Sequence, residues 1–450
     1  MSKDIRIRRG LDIPLEGQAD RVLAPVAASE TYVVKPTDFH GLTPKLTVRE
    51  GDEVKAGSIL FYDKYNEKVK FTSPVSGEVV EIIRGAKRKV LGVKILADKE
   101  INYETFEVGN ASSMNRDQII DMMCQSGLWP LLKRRPYNVI ANPEDQPRDI
   151  FISSFDSAPL AQDNDFLVHG QEEDFQAGLD ILGKLTEGKV HLTLDGNTNS
   201  SSVFSNAKGV EIHKIQGPHP AGNVGVQIHH IAPINKGEVI WTIRPQDILI
   251  LGRFFKTGKF DLSKIIAIAG SEIEKPRYSK VIPGAQISTI LADNLKSEKA
   301  RIISGNVLTG EKVSLDGNLG FYADMVTAIP EGDHQEFMGW LAPGFKDYST
   351  SRAYMSWLSP KKSYKLDTNL HGEERAYVIT GEYEKVFPFD IYPVQLVKAI
   401  MIGDVEDLEN LGIYEVSEED FALCEFVCTS KINVQEVVRE GLDMVRKEFS

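Results

Sequence analysis

The sequence predicts a multidomain α/β protein that opens on a compact β-sandwich, continues through alternating strands and helices, and closes on a helical tail. Three observations carry this. Between Val48 and Ile95 short β-rich segments alternate with turn signals at Gly51-Asp52, Ala56-Gly57, Ser73-Pro74 and Ser76-Gly77, the rhythm of a sandwich of short strands. From about residue 100 to 260 apolar runs alternate with helix-like stretches, which means parallel strands with crossover helices. Beyond residue 392 the chain reads as consecutive helices. At 450 residues it exceeds the size at which one core keeps growing, so roughly three or four domains are expected.

Residues 1–100 form the first expected unit. VREGDEVKAGSILFY at 48–62, SPVSGEVVEI at 73–82 and GVKI at 92–95 together resemble the barrel-sandwich hybrid of lipoyl and biotinyl carrier domains. Asp63-Lys64 imitates the Asp-Lys pair that bears the modification in lipoyl-like carriers. Lys64 lies ten residues before Pro74 and Lys68 six, neither in the carrier register. A one-residue slip turns every side chain of a strand over, so the lysine is read as a surface residue of a scaffold.

A Rossmann-like α/β domain is expected over 101–260. Asn115 and Gln118 can form a capping box, Ile119, Ile120, Met122 and Met123 supply an apolar stripe, and Gly127 can close a helix over 116–126. Strands at 149–155, 189–195 and 210–215 alternate with helices at 174–188 and 245–258. Residues 261–332 hold short strands, from IIAIAG at 265–270 to the far side of the Asp316-Gly317 turn, too small a unit for a second such domain. Residues 333–392, rich in aromatics, Pro and Gly with weak periodicity, are expected to be an irregular connection that packs over the other units. The C-terminal helical domain, 393–450, reads as helices at 393–403, 404–411, 417–430 and 433–449, the third opened by Ser417 with Asp420 three residues on.

Composition narrows the function. The net charge of -13, from 65 acidic against 52 basic side chains, argues against a broad nucleic-acid-binding face. Lys133-Arg134-Arg135 and Arg84 to Lys89 are local basic patches whose simplest reading is a solvated loop. Three cysteines exclude a disulfide framework and suit a reducing compartment. MSKDIRIRRG has no apolar stretch for a signal peptide, and no run approaches the roughly 20 apolar residues of a spanning helix. Any membrane role is expected to be peripheral.

No chemistry-bearing motif is complete. G-x-G-x-x-G and Walker A sequences are absent, and in the nearest candidate, GPHPAGNVG at 217–225, two prolines remove donors that a phosphate cradle would use, so a tight turn is expected. His213, His219, His229 and His230 fall within 18 residues, without the helical pairing or nearby cysteine of a zinc site. Cys424 and Cys428 would share one face of a helix, but a four-iron cluster takes four ligands and Cys124 is in another domain, so two buried reduced thiols are expected. What remains is SGLWPLLKRRPY at 126–137, where Trp129, Leu131, Leu132 and Tyr137 adjoin three cations. It reads either as a lip for an apolar or amphipathic ligand or as a helix with a wet face ending at Pro136.

RRGLDIPLEG at 8–17, VREGDEVKAG at 48–57, RGAKRKV at 84–90, SGLW at 126–129, AGLDIL at 177–182, LTEGKV at 185–190, GPHPAG at 217–222, ISGNVLTG at 303–310 and ALCEFVC at 422–428 form an ordered set. Over nearly the full length they resemble the A subunits of bacterial sodium-translocating NADH:quinone reductases. That family is related in fold to the flavin-binding subunit of complex I and to the C subunit of the Rnf complex, which bind FMN or iron-sulfur clusters. With this resemblance, the strand lengths of 261–332 suit a β-grasp fold. The resemblance implies a peripheral subunit with no metal, redox cofactor or catalytic residue of its own, on the cytoplasmic face of a six-subunit complex of the bacterial inner membrane. Such a complex oxidises NADH, reduces ubiquinone or menaquinone and exports sodium, with FAD, FMN and the iron-sulfur centre in partner subunits. It further implies quinone binding at regions matching about Val34 to Leu42 and Trp129 to Tyr137. The candidate residues are therefore His40, Gly41, Leu42, Trp129, Leu132, Arg134, Arg135 and Tyr137. Two other readings stay open: a freestanding soluble ligand-binding or scaffold protein, and a lipoyl-type carrier acting through Lys64.

Overall fold

The computed structural model describes residues 2–109, 111–198, 200–333 and 338–448. In the first unit two antiparallel sheets face each other. One runs in the order Thr31–Val34, Val90–Ala97, Gly77–Arg84, Glu53–Val54; the other in the order Pro44–Leu46, Ile59–Asp63, Asn66–Thr72. Leu60, Phe61, Phe71, Val79, Val93 and Ile95 of these strands are at most 2% exposed. The Ser76-Gly77 signal has a steric cause, because at Gly77 (φ +149°) a Cβ would stand 1.9 Å from the Leu96 oxygen. Lys64 and Tyr65 form the two-residue tip between Ile59–Asp63 and Asn66–Thr72. The lysine thus sits on a hairpin tip despite its long count to Pro74, and the hairpin below it carries register irregularities between Ile59 and Phe61 and between Tyr62 and Asp63.

The helix Arg116–Ser126 follows. Asn115 Oδ1 accepts from Gln118 N at 2.9 Å, Gln118 Oε1 accepts from Asn115 N at 3.0 Å, and left-handed Gly127 ends the helix. A seven-stranded sheet comes next, in the order Asp4–Arg6, Glu211–Gln216, Val190–Asp195, Ile150–Ser153, Ile240–Thr242, Lys133–Arg135, Val139–Ile140. The first five strands are mutually parallel, and Lys133–Arg135 runs antiparallel to the neighbour on each side of it. Residues 4–6 therefore join this sheet and not the sandwich; three residues are too few to show a period. The segment 133–140 is a hairpin and not a helix, since Tyr137 (φ +84°) and Asn138 (φ +52°) reverse the chain.

Helix Pro245–Thr257 forms close to expectation, whereas 174–188 becomes Glu172–Leu182. Past it, the N–H groups of Lys184 and Leu185 donate only three residues back, to Ile181 and Leu182, and this tighter winding buries Leu185. A further helix, Val224–Ile231, leaves the GPHPAG turn.

The third unit is a five-stranded sheet in the order Arg277–Val281, Lys264–Ala269, Met325–Pro330, Ala300–Ser304, Glu311–Val313. Its second and third members are parallel and its other neighbours antiparallel. At the end of the chain, helices Pro393–Ile402, Val405–Asn410, Ala422–Val427 and Val434–Glu448 pack around Val397, Ile400, Phe421, Val438 and Leu442, in a core continuous with Ile7, Ile215 and Val226 of the α/β unit. The Ser417 box forms, with Ser417 N and Oγ donating to Asp420 Oδ2 at 2.9 and 3.0 Å. It opens only the 3-10 turn Glu418–Phe421, and the helix after it stops at Val427. Cys428 is extended (ψ 115°), so it does not share a helical face with Cys424, although both thiols are buried.

Between 338 and 381 the described chain makes turns but no strand or α-helix. Tyr348, Leu366 and Tyr377 pack against the tail, yet Phe345, Trp357 and Leu358 are more than half exposed, which departs from the expected packing over other units. Among the described residues no helix is long and apolar enough to cross a membrane.

Candidate functional site

The four central parallel strands leave the chain in the order Ile150–Ser153, Val190–Asp195, Glu211–Gln216, Ile240–Thr242. The second and third step to one side of the first; the fourth lies on its other side. Connections that diverge in this way open a crevice at the carboxyl ends of the strands, the usual ligand position in an open α/β sheet. A cavity of about 580 Å³ fills that crevice. Ser153 and Thr242 mark the strand ends, while Asn223, Val224 and Pro245 bring the starts of two helices to the edge. Phe321 and Tyr322 come from the third unit, Glu418 and Glu419 from the tail, Thr37 and Asp38 from the sandwich. Phe321 N donates to Asp38 Oδ2 at 2.8 Å and the Tyr322 hydroxyl to Pro130 O at 2.7 Å, tying the third unit to the other two, and Asn138 Nδ2 donates to Glu418 Oε1 at 3.1 Å, tying in the tail.

Charge is dense around the cavity. Arg244 holds Asp247 at 2.8 Å and Asp324 at 2.8 Å, and Lys264 holds Asp324 at 3.2 Å. Burial opposes the charge on Asp324, but the two cations more than offset it and keep the carboxyl below its usual range. Asp156 has no such partner among the described residues, and burial pushes it up to about 6. Burial pulls His219 down to about 4, and its Nδ1 lies 2.9 Å from Ser157 Oγ. Lys133 stands with its Nζ 4.2 Å from the centre of the Tyr322 ring and has no carboxylate partner among the described residues; burial lowers its pKa. Arg135 is 2% exposed, bonds to Glu419 and lies 3.6 Å from Asp420, while its Nε and Nη1 make no hydrogen bond among the described residues. A lysine without a carboxylate partner, beside aromatic rings in a roomy cavity, can donate to an oxygen of a planar ligand.

Three family descriptions match the chain: an NqrA N-terminal barrel-sandwich hybrid domain over residues 5–98, an NqrA second alpha/beta domain over 114–260, and an NQRA C-terminal domain over 265–314. The A subunit of the Na(+)-translocating NADH-quinone reductase of Vibrio anguillarum is 37% identical over 447 residues, covering 99% of this chain and 100% of that one. Its counterpart in Hahella chejuensis is 36% identical over 449 residues, with 99% and 100% covered. The chain belongs to this NqrA family. Among solved structures, an NAD+-reducing [NiFe]-hydrogenase chain aligns with 75% of this chain and 64% of its own at 10% identity and a TM-score of 0.38, too remote to carry an argument.

Within this family member the eight candidate residues do not converge on one lip. Trp129 and Leu132 are fully buried, the indole N–H donating to Ala141 O at 2.6 Å and the ring meeting Trp241 edge-on at 5.3 Å. Arg135 alone of the eight lines the crevice. Arg134 points to Asp145 at 3.0 Å. His40 reaches Asp443 at 2.8 Å, Gly41 abuts the Arg446 guanidinium, and the Tyr137 backbone carbonyl accepts from Arg439 at 2.7 Å, so these three meet helix Val434–Glu448. Leu42 is half-buried at the edge of the main core.

The four histidines do not form one cluster; only His229 and His230 touch, their ring centres 5.1 Å apart. His213 pairs with His191 at 2.9 Å, His229 with Glu415 at 2.7 Å and His230 with Pro388 O at 3.0 Å, and no group of three His, Cys, Asp or Glu side chains able to hold a metal occurs among the described residues. Sequence reasoning did not single out Asp156, Arg244, Tyr322 or Asp324. Lys133 and Arg135 carried a signal as members of the basic triplet, and His219 as one of the four clustered histidines.

Proposed function

We propose that this chain is a peripheral, cofactor-free subunit on the cytoplasmic face of a six-subunit NADH:quinone reductase that couples quinone reduction to sodium export, and that its crevice takes a quinone headgroup. In this reading NADH, FAD, FMN and the iron-sulfur centre are held by partner subunits, and this chain positions and does not transfer electrons. One observation carries the quinone part. The two segments implied by the family resemblance, about 34 to 42 and 129 to 137, lie far apart in sequence yet both reach the crevice, through Thr37 and Asp38 on one side and Leu131, Lys133 and Arg135 on the other. Phe321 and Tyr322 offer ring faces and Lys133 a charged donor to a quinone carbonyl.

The fold terms belong to the same reading. The lateral order 3-2-1-4 of the central parallel strands supports a Rossmann-like domain, and the order 2-1-5-3-4 of the five-stranded sheet supports a β-grasp, with domain limits near 100, 260, 332 and 392.

The test is binding of a quinone analogue to the assembled, membrane-extracted complex carrying Lys133→Met. One charged hydrogen bond is worth about 1.5–3 kcal/mol, so Kd should rise about tenfold to a hundredfold. Unchanged affinity would remove the crevice from consideration. Absence of membrane-embedded flavoprotein subunits from the preparation would instead favour the freestanding protein.

A further inference from the structure

The segment from 338 to 381 presents apolar side chains outward in an unusual concentration. Met338, Leu341, Phe345, Met355, Trp357 and Leu358 are 46–60% exposed. Large exposed apolar patches on a soluble surface mark interaction sites. This one is held in a defined shape. Met355 N donates to Pro343 O at 2.8 Å, Gly344 lies against the Tyr354 ring, and the turn Met355–Leu358 follows. Tyr364, 7% exposed, anchors the far end: its N–H donates to Pro14 O at 2.8 Å and its oxygen accepts from Glu16 N at 3.0 Å. The loop is thus fastened to the body of the protein with its apolar groups turned away from it.

Its charge runs against that of the chain. Residues 338–365 contain Lys346, Arg352, Lys361, Lys362 and Lys365 but only Asp347 as an acid, in a protein of net charge -13. Lys365 pairs with Glu272 and Lys362 bonds Phe345 O, whereas Lys346, Arg352 and Lys361 are exposed and make no ion pair among the described residues. An occupant of this surface should therefore be apolar at its centre and acidic at its rim.

A bilayer and a protein both offer such chemistry, and the backbone decides between them. Beyond two short 3-10 turns the loop has neither α-helix nor strand, so many of its N–H and C=O groups lack a regular partner. In hydrocarbon each would stay unsatisfied at a cost that excludes irregular backbone, whereas a protein surface supplies donors and acceptors. We infer that the loop 338–365 is the docking element for a membrane-embedded partner subunit whose contact surface is apolar and rimmed by carboxylates. This rests on the subunit reading above.

The experiment uses the full-length tagged chain, produced in cells that make the rest of the reductase, with captured proteins identified by mass spectrometry. The variants are Phe345→Ser with Trp357→Ser, Lys346→Glu with Arg352→Glu and Lys361→Glu, and as control Tyr65→Ser, which changes a 78% exposed side chain on the sandwich. Wild type and control should capture the membrane-embedded reductase subunits, and both loop variants should lose them at least tenfold with unchanged circular dichroism and thermal midpoint. Capture by the loop variants equal to wild type overturns the docking assignment while leaving the subunit reading intact. A wild-type chain that captures no reductase subunit removes the subunit reading and the inference with it. Flotation of the purified chain with vesicles of phosphatidylcholine and phosphatidylglycerol should leave it unbound. Binding that the Phe345→Ser/Trp357→Ser variant loses would make the bilayer the occupant and overturn the partner assignment.

Discussion

Replacing Arg135 by Leu separates the structural role of this residue from any role toward a ligand. Arg135 stands on the strand Lys133–Arg135 and reaches across to the tail, where it bonds Glu419 and faces Asp420 at 3.6 Å. The Arg135 side chain is 2% exposed and that of Asp420 0%, so the variant leaves a carboxylate in the interior without its counter-charge. Breaking a buried pair in this way costs about 3–5 kcal/mol. Glu419 is 36% exposed and can turn to water, so the lower end applies, about 3 kcal/mol, or about a hundredfold in the equilibrium for opening the tail.

Hydrogen exchange of the amides in Val434–Glu448, compared between variant and wild type of the full chain at one pH, reads that equilibrium. The pH dependence has a definite sign. Burial raises Asp420 to about 6, with Arg135 pulling the other way, and loss of Arg135 raises it further. A carboxyl raised in the folded state favours folding while protonated and opposes it once ionised. The deficit should therefore be largest at alkaline pH, above the variant's raised carboxyl range, and shrink as pH falls toward about 6, where the wild-type carboxyl protonates as well. Adding Asp420→Asn should recover most of it at pH 7.5, because no unpaired charge remains. Equal exchange in Arg135→Leu and wild type at pH 7.5, or a deficit that grows on acidification, would refute the reasoning.

Trp129→Ala should destabilise the chain by about 3–5 kcal/mol through the cavity it leaves and the lost bond to Ala141, measured by denaturant unfolding; a chain of native stability that only binds quinone less well would return Trp129 to the ligand surface. Gly77→Ala should cost well over about 1 kcal/mol and lower the thermal midpoint, since a Cβ there meets the Leu96 carbonyl and not a movable side chain. His213 and His219 are each pulled down to about 4, mainly by burial. Stability should therefore fall as pH drops from about 6.5 toward 4, and His219→Gln should reduce that fall; a midpoint flat across this range counts against two neutral buried imidazoles. Intact mass of native protein should show Lys64 unmodified, and an added lipoyl mass on that residue would restore the carrier reading.

What the sequence disclosed was what a few neighbouring residues decide. The Asn115 and Gln118 box, the Gly127 stop and the Ser417 and Asp420 pair each have cause and effect within one turn, and each formed. The end of Glu172–Leu182 and the break at Cys428 were hidden because they follow from which side chain the core accepts, Leu185 in one case and Cys428 in the other. The crevice was less legible still. Its wall is assembled from strands whose lateral order is not their chain order, so Asp156, Arg244, Tyr322 and Asp324 carry no common local mark.

The basic triplet at 133–135 shows how much rests on naming the element correctly. On a helix, three successive cations fan out over most of its circumference and suggest a wet surface. On a strand, successive side chains alternate, so the first and third share a face and the second opposes them. Lys133 and Arg135 accordingly both line the crevice, while Arg134 turns away to Asp145. A strand here also explains why the apolar neighbours are no lip: the chain descends through Trp129 and Leu132 into the core before it emerges as Lys133–Arg135 at the cavity wall. The aromatic and cationic halves of 126–137 thus serve different ends, one holding the sheet in place and the other charging the cavity beside it. Substitution at Trp129 should therefore be read as a change in stability, and substitution at Lys133 as a change in what the cavity holds.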